Sequence, residues 1–217
     1  MSKLRVLTLT AALTASLALG GCISLLPKTK PAQLYRFGEN VGMADKPAAA
    51  PALNGGPVTG LTMSTGFTRA ADGDRILTAT GAQSAYIAES RWVSPASVLF
   101  DEAAARAFEN AGAPFRLLRR GDIGSTTLAL RIDVETFEAD YPADGKGAPT
   151  VVVRARVLLM RPGGRGDTQA HEFISRQPAA ENRVGAIVAA FDSATGDLLD
   201  QVVTWTTASA PVVSSSG

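Results

Sequence analysis

Two consecutive stretches of alternation constrain this chain more than anything else in it. Between Thr127 and Phe137, Leu128, Leu130, Ile132 and Val134 alternate with Ala129, Arg131, Asp133 and Glu135. Between Thr150 and Met160, Val151, Val153, Ala155, Val157 and Leu159 face one way while Arg154 and Arg156 face the other. A period of two places each set on one face of a pleated strand, so each segment buries one face and leaves the other in water, as an antiparallel sheet allows. Tyr141 to Pro149 reads as a long hairpin loop between them. The Gly-rich turn Arg161 to Asp167 leads to a third strand, Thr168 to Arg176, completing a meander.

The apolar face of such a sheet needs a cover, and the chain offers two amphipathic helices. The more periodic is expected over 180–205, where Val184, Ile187, Val188, Phe191, Thr195, Leu198, Leu199, Val202 and Val203 form one stripe. The other is expected over 94–111. Ser94 is its cap, Pro95 its first helical residue, and Asn110 to Gly112 its close, with Val98, Leu99, Ala103, Ala107 and Ala111 as its stripe. Shorter strands are expected around Leu34-Tyr35, at Val58 to Thr65, Arg75 to Thr80, Gln83 to Val93 and Phe115 to Leu118. The fold class is α+β, a single domain whose mixed, mainly antiparallel sheet carries both helices on one face.

The N-terminus is of a different character. Lys3 and Arg5 precede an uncharged run to Leu19, and Gly20-Gly21 precede Cys22, the only cysteine. This is the layout of a secretory signal peptide. Leu19-Gly20-Gly21-Cys22 resembles a bacterial lipobox, in which the thiol is acylated and cleavage leaves Cys22 first. The apolar run of about 14 residues is short of the roughly 20 that span a bilayer, which disfavours a permanent anchor helix. An uncleaved anchor, a plain signal peptide and a buried core element are the alternatives. The organisation expected is a signal peptide over 1–21, a lipid-anchored tether over 22–30 and a domain over 31–207. An Ala/Pro/Gly-rich flexible loop falls at about 39–57, and a disordered tail over 208–217.

Charge and thiol content exclude several function classes. Without Lys3 and Arg5, 19 of the 21 basic residues remain against 20 acidic ones, giving a net charge of −1 and no footprint for nucleic acid. With Cys22 spent on lipid no disulfide can form, and the lone His171 leaves no zinc-binding cluster, so no cofactor is expected. His171, Glu172, Asp133 and Ser175 can be written as a hydrolase set, but no Gly-x-Ser-x-Gly or His-Glu-x-x-His accompanies them. His171 is therefore read as an exposed or hydrogen-bonded strand residue, and Arg165-Gly166-Asp167 as turn composition. Glu135, Glu138 and Asp140 read as solvated charges rather than a cation site. Tyr86 and Trp92 are the candidate aromatics, either for core packing or for an interface.

Taken together, the lipobox, Leu34-Tyr35, the run Tyr86 to Trp92 followed by Pro95 and a helix, the Leu128 to Phe137 strand and a final helix ending near Trp205 resemble one family. It is the ABC-type transport auxiliary lipoproteins, the group that includes the PqiC- and YmbA-like lipoproteins. The resemblance covers nearly all of the mature chain and rests on the order of elements. It implies a small sheet flanked by two helices and a non-enzymatic role beside an MCE-domain protein and ABC transporter subunits in lipid transport across the periplasm. It also implies ring-like self-assembly, with exposed aromatics at the subunit contact. Ile23 and Ser24 follow Cys22 with no Asp, which points to the periplasmic face of the outer membrane. A periplasmic lipoprotein hydrolase and a stand-alone lipid- or peptide-binding lipoprotein are the alternatives.

Overall fold

A computed structural model describes residues 31–39, 41, 59–111, 115–118, 122, 126, 128–162 and 168–210. Its elements fall in the compact unit that begins at Ala32. In chain order they are β1 (Gln33–Tyr35), β2 (Thr59–Phe67), β3 (Arg75–Thr80), β4 (Gln83–Trp92), α1 (Ala96–Asn110), β5 (Phe115–Leu118), β6 (Leu128–Tyr141), β7 (Thr150–Met160), β8 (Thr168–Pro178) and α2 (Val184–Ser209). Cys22, the 163–167 turn, residues 211–217 and most of 39–57 lie outside the described residues.

The alternating segments form the antiparallel ladder expected of them, β6–β7–β8, with Leu130 opposite Leu159, Ile132 opposite Val157 and Ala155 opposite Phe173. Every inward residue of β7, from Val151 to Leu159, is buried. On its other edge β6 holds two strands end to end: β2 along Leu128 to Val134 and β3 along Ala139 to Tyr141. Both joins are parallel, as are β2–β5 and β1–β4, while β3–β4 is an antiparallel hairpin. The sheet is thus mixed, its longest registers antiparallel and its outer joins parallel.

One irregularity sets the centre of the core. Alternation in β6 breaks between Val134 and Thr136, where the register slips by one residue at Glu135. Such a bulge reverses the phase of the strand beyond it. Leu128, Leu130, Ile132 and Val134 point inward before it, and Phe137 and Ala139 after it. Phe137 is thereby turned into an aromatic cluster, with ring centroids 4.8 Å from Phe191, 5.1 Å from Phe37 and 5.3 Å from Phe67. Trp92 meets Phe191 edge-on at 5.3 Å.

Both helices cover the same side of the sheet and touch each other. α2 lies on β7 and β8, and α1 on β2 and β5. The stripe on α2 is buried as its spacing predicts from Ile187 to Val203, with Val184 and Val188 partly covered. The helix begins at Val184, not at 180. It runs through Ala208 and Ser209, residues whose small side chains suggest a tail. On α1 the buried set is Ala96, Leu99, Phe100, Ala103, Ala104, Ala107 and Phe108, whereas Val98 and Ala111 are exposed. Ser94 makes no capping bond, and Pro95 is the N-cap rather than the first helical residue. The helix start is held instead by the β2–β3 connection: the Ala96 N–H donates to Gly73 O at 3.0 Å and Ser97 Oγ donates to Asp72 O at 3.3 Å.

The chain leaving β1 passes between the two helices and is clamped by a side chain from each. Asp192 Oδ1 on α2 accepts the Gly38 N–H at 2.5 Å, and Arg106 on α1 donates to Gly38 O from Nε at 3.2 Å and Nη2 at 2.9 Å. Phe37 and Val41 on either side are buried. Backbone polar groups that would otherwise be stranded between two helices are satisfied at this crossing.

Within α2, Thr195 is fully buried and its hydroxyl has no hydrogen-bond partner among the described residues. An unpaired buried hydroxyl costs about 1–3 kcal/mol, so the near-isosteric Thr195→Val should raise unfolding stability by about 1–2 kcal/mol, read as a higher urea midpoint at unchanged slope.

Candidate functional site

The residues that the sequence allows as a hydrolase set are not brought together. His171 pairs with Val157 in the ladder and therefore shares the helix-covered side, where its ring stacks on Trp205 at 5.8 Å and lies 4.5 Å from Phe173. Asp133 pairs with Arg156, on the opposite face, and accepts from Arg131 Nε at 2.8 Å. Ser175 is four residues from His171 along the same strand, about 13 Å at strand rise. Glu172 pairs with Arg156 on the face opposite His171, so the four residues that sequence allows as a hydrolase set are held apart, and His171 is an exposed strand residue resting on an aromatic pair.

The acidic residues behave as charges on an open sheet face. Glu138 and Asp140 follow the bulge on the outward pleat, and among the described residues no group of three or more His, Cys, Asp or Glu could hold a metal ion. Burial, with the neighbouring Asp140 carboxylate second, raises the Glu138 pKa above its ordinary value. Above the folded pKa the native state carries a desolvation and repulsion cost that the unfolded chain lacks, and below the unfolded pKa that cost is gone. Glu138→Gln should therefore raise unfolding stability at pH 7, by less than about 1 kcal/mol after solvent screening, read as a higher urea midpoint, and the gain should vanish below about pH 4.

Tyr86 and Trp92, six residues apart on β4, have different fates. Trp92 is buried in the aromatic cluster, while Tyr86 is 37% exposed. The Tyr86 hydroxyl donates to Ala70 O at 3.0 Å, and the Arg75 guanidinium lies 3.9 Å over its ring. The register explains the divergence. Arg75 is opposite Arg91 but Leu77 is opposite Tyr86, so β4 carries extra residues between them, and Glu89 takes up a positive φ of 53°.

Two surface features remain. A groove of about 530 Å³ lies between α1 and the β2–β5 edge; Met63, Leu117 and Leu118 are apolar, and Asp101, Glu102, Ala105 and Arg106 line the helix side. Part of that lining is committed internally, since Thr65 Oγ1 donates to Asp101 Oδ1 at 3.2 Å and Arg106 holds Gly38. The second feature is the outward face of β1 and β4. Leu34 there is 63% exposed and Val93, just beyond β4, 43% exposed. Neither the groove nor the Arg106–Gly38–Asp192 clamp carries a signature in the sequence. Each forms from residues distant along the chain.

No helix among the described residues is long and apolar enough to cross a membrane. A two-helix cover on one side of a mixed sheet defines a small α+β domain. The model of the ABC-type transport auxiliary lipoprotein component matches residues 66–203, from the end of β2 into the last turns of α2. The chain belongs to that family. Among solved structures, protein XCC0632 from Xanthomonas campestris, a DUF330 protein, is 23% identical over 70% of this chain and 84% of its own, with a TM-score of 0.61. A second crystal structure, of an uncharacterized protein, is 13% identical over 82% of this chain and 99% of its own, also with a TM-score of 0.61. At these identities the likeness is one of fold. No curated protein matches the chain.

Proposed function

We propose that the chain is a lipid-anchored periplasmic auxiliary component of an ABC/MCE-type transport system, acting by binding partners and not by catalysis. The family match over 66–203 carries this reading, because it spans both helices and the sheet core rather than a short motif. Acylation of Cys22 holds the domain at the periplasmic face of the outer membrane, supported by the Leu19-Gly20-Gly21-Cys22 lipobox and the absence of Asp after it. The partners are an MCE-domain protein and the ABC transporter subunits, with a homo-oligomeric ring as the working form, and the cargo is phospholipid or another lipid. The scattered positions of His171, Asp133 and Ser175 favour a binding role over a hydrolytic one.

Anchoring is directly testable. Two or more acyl chains hold a protein on a bilayer at roughly 0.8 kcal/mol per buried CH₂, whereas the unacylated domain has no such attachment. Cys22→Ser should move a folded chain from the membrane fraction to the soluble periplasmic extract. A chain that stays in the membrane fraction and still carries acyl groups would refute the assignment.

A further inference from the structure

The exposed large apolar side chains among the described residues are Leu34, Tyr86, Val93 and Val98, and all of them fall on β1, on β4 and its end, or at the adjoining start of α1. Register connects most of them into one surface. Tyr35 pairs with Trp92 on the buried side, so Leu34, its partner Arg91, and Val93 point outward together. Arg91 is in turn opposite Arg75, whose guanidinium covers the Tyr86 ring. Arg91 also donates to both carboxylate oxygens of Asp74 at 2.9 Å. The result is two aliphatic side chains, one phenol ring and two guanidinium groups side by side at a sheet edge where no further strand pairs with β1 among the described residues.

This is also where the chain enters the domain. Cys22 and Gln33 are eleven residues apart, a span of at most about 40 Å when fully extended. If Cys22 is acylated, as the proposed function holds, β1 is the element joined to the anchor by the shortest stretch of chain, so its face meets bilayer surface at a high effective concentration. Aliphatic, tyrosyl and arginyl side chains together suit the boundary between headgroups and acyl chains: apolar groups enter the first carbons and guanidinium groups reach phosphates. From this conjunction we infer that the Leu34–Arg91–Val93 face, with Arg75 and Tyr86, rests on the phospholipid surface and fixes the orientation of the domain relative to the membrane. The inference rests on the anchoring assignment, and the face directs the groove and α2 away from the lipid into the space where partners approach.

The test uses the full acylated chain, in which acylation of Cys22 leaves an introduced cysteine as the sole thiol. Leu34→Cys and, on the exposed side of α2, Ser193→Cys are each labelled with an environment-sensitive fluorophore. Each is then reconstituted into phosphatidylethanolamine/phosphatidylglycerol vesicles with and without nitroxide-bearing lipids. The expected result is at least about two-fold quenching by the nitroxides at position 34 and none at 193, because only a face lying in the headgroup region meets the quencher. Equal, unquenched emission from both sites in a chain shown by mass spectrometry to be acylated overturns the membrane-facing orientation while leaving the anchor standing. Shielding at position 34 that depends on protein density and is indifferent to the nitroxides assigns the face to a second copy, and overturns it as well. A chain without acyl groups at Cys22 removes the anchor and the inference with it.

Discussion

Gly38→Ala should destabilise the domain by about 3 kcal/mol or more, enough to bring a marginally stable fold close to its unfolding threshold. Two independent effects add at this position. The backbone has φ of +80°, a left-handed conformation that a side chain disfavours. A Cβ there would also lie 2.6 Å from the Cβ of Ala103, a contact that cannot be relieved by rotating a side chain because the obstacle is a methyl group fixed to α1. Moving the crossing segment away would break the Arg106 and Asp192 bonds that hold it between the helices. Chemical denaturation of four variants, Gly38→Ala, Gly81→Ala, Ala103→Gly and the Gly38→Ala/Ala103→Gly pair, separates the effects. Gly81→Ala, at φ of +57° with nothing within 4 Å, should show the conformational cost alone, about 1 kcal/mol. Gly38→Ala combined with Ala103→Gly should recover part of the loss by making room, and strict additivity of the two changes would argue that the close approach is not what matters.

Phe137→Ala is expected to cost about 3–5 kcal/mol, the range for truncating a fully buried aromatic. Phe137 is 2% exposed and contacts Phe37, Phe67, Trp92 and Phe191, so its loss leaves a cavity bordered by the segment after β1, by β2, by β4 and by α2 at once. None of these backbones can move into it without disturbing another. A large drop in the urea midpoint together with loss of the near-ultraviolet signal of Trp92 is the expected readout. A loss under about 1 kcal/mol would mean that the cluster is not the centre of the core.

How much of this was legible in the sequence depends on whether the signal is local. β6 and β7 can be read directly because each buries one face, β8 from the Gly-rich turn that precedes it, and the α2 stripe because helical spacing repeats over five turns. The four parallel joins leave no such trace: a parallel partner is reached through a distant crossover, so nothing near β2 announces β6. The reversal at Glu135 is invisible for a related reason. Continued alternation from Leu128 would place Phe137 outward, and only the fit of the ladder against β7 selects the bulge that turns it in. On α1 the spacing picks out Leu99, Ala103 and Ala107 correctly, but it also turns the exposed Val98 and Ala111 inward and passes over Ala96, Phe100, Ala104 and Phe108, since several helical stripes fit so alanine-rich a segment.

The surface was less legible than the core. Tyr86 and Trp92 share the parity of a regular strand, and the extra residues around Glu89 separate them, leaving one in the core and one on the outer face. Leu34 read as a β-favouring residue in a short strand. Its exposure follows from β1 lying at the sheet edge, a fact of topology. The acylation proposed for Cys22 is different in kind, because it is argued from the three residues before it and needs no fold.

The central claim is that this lipoprotein-family domain works as a partner-binding component of a transporter, and co-purification tests it most directly. Full-length, acylated protein carrying a C-terminal affinity tag is solubilised from native membranes in mild detergent and captured. The account predicts recovery of an MCE-domain protein, a permease and an ATPase together with the bait. Recovery of the acylated bait without any of the three, under conditions that keep other envelope transporters intact, would contradict it.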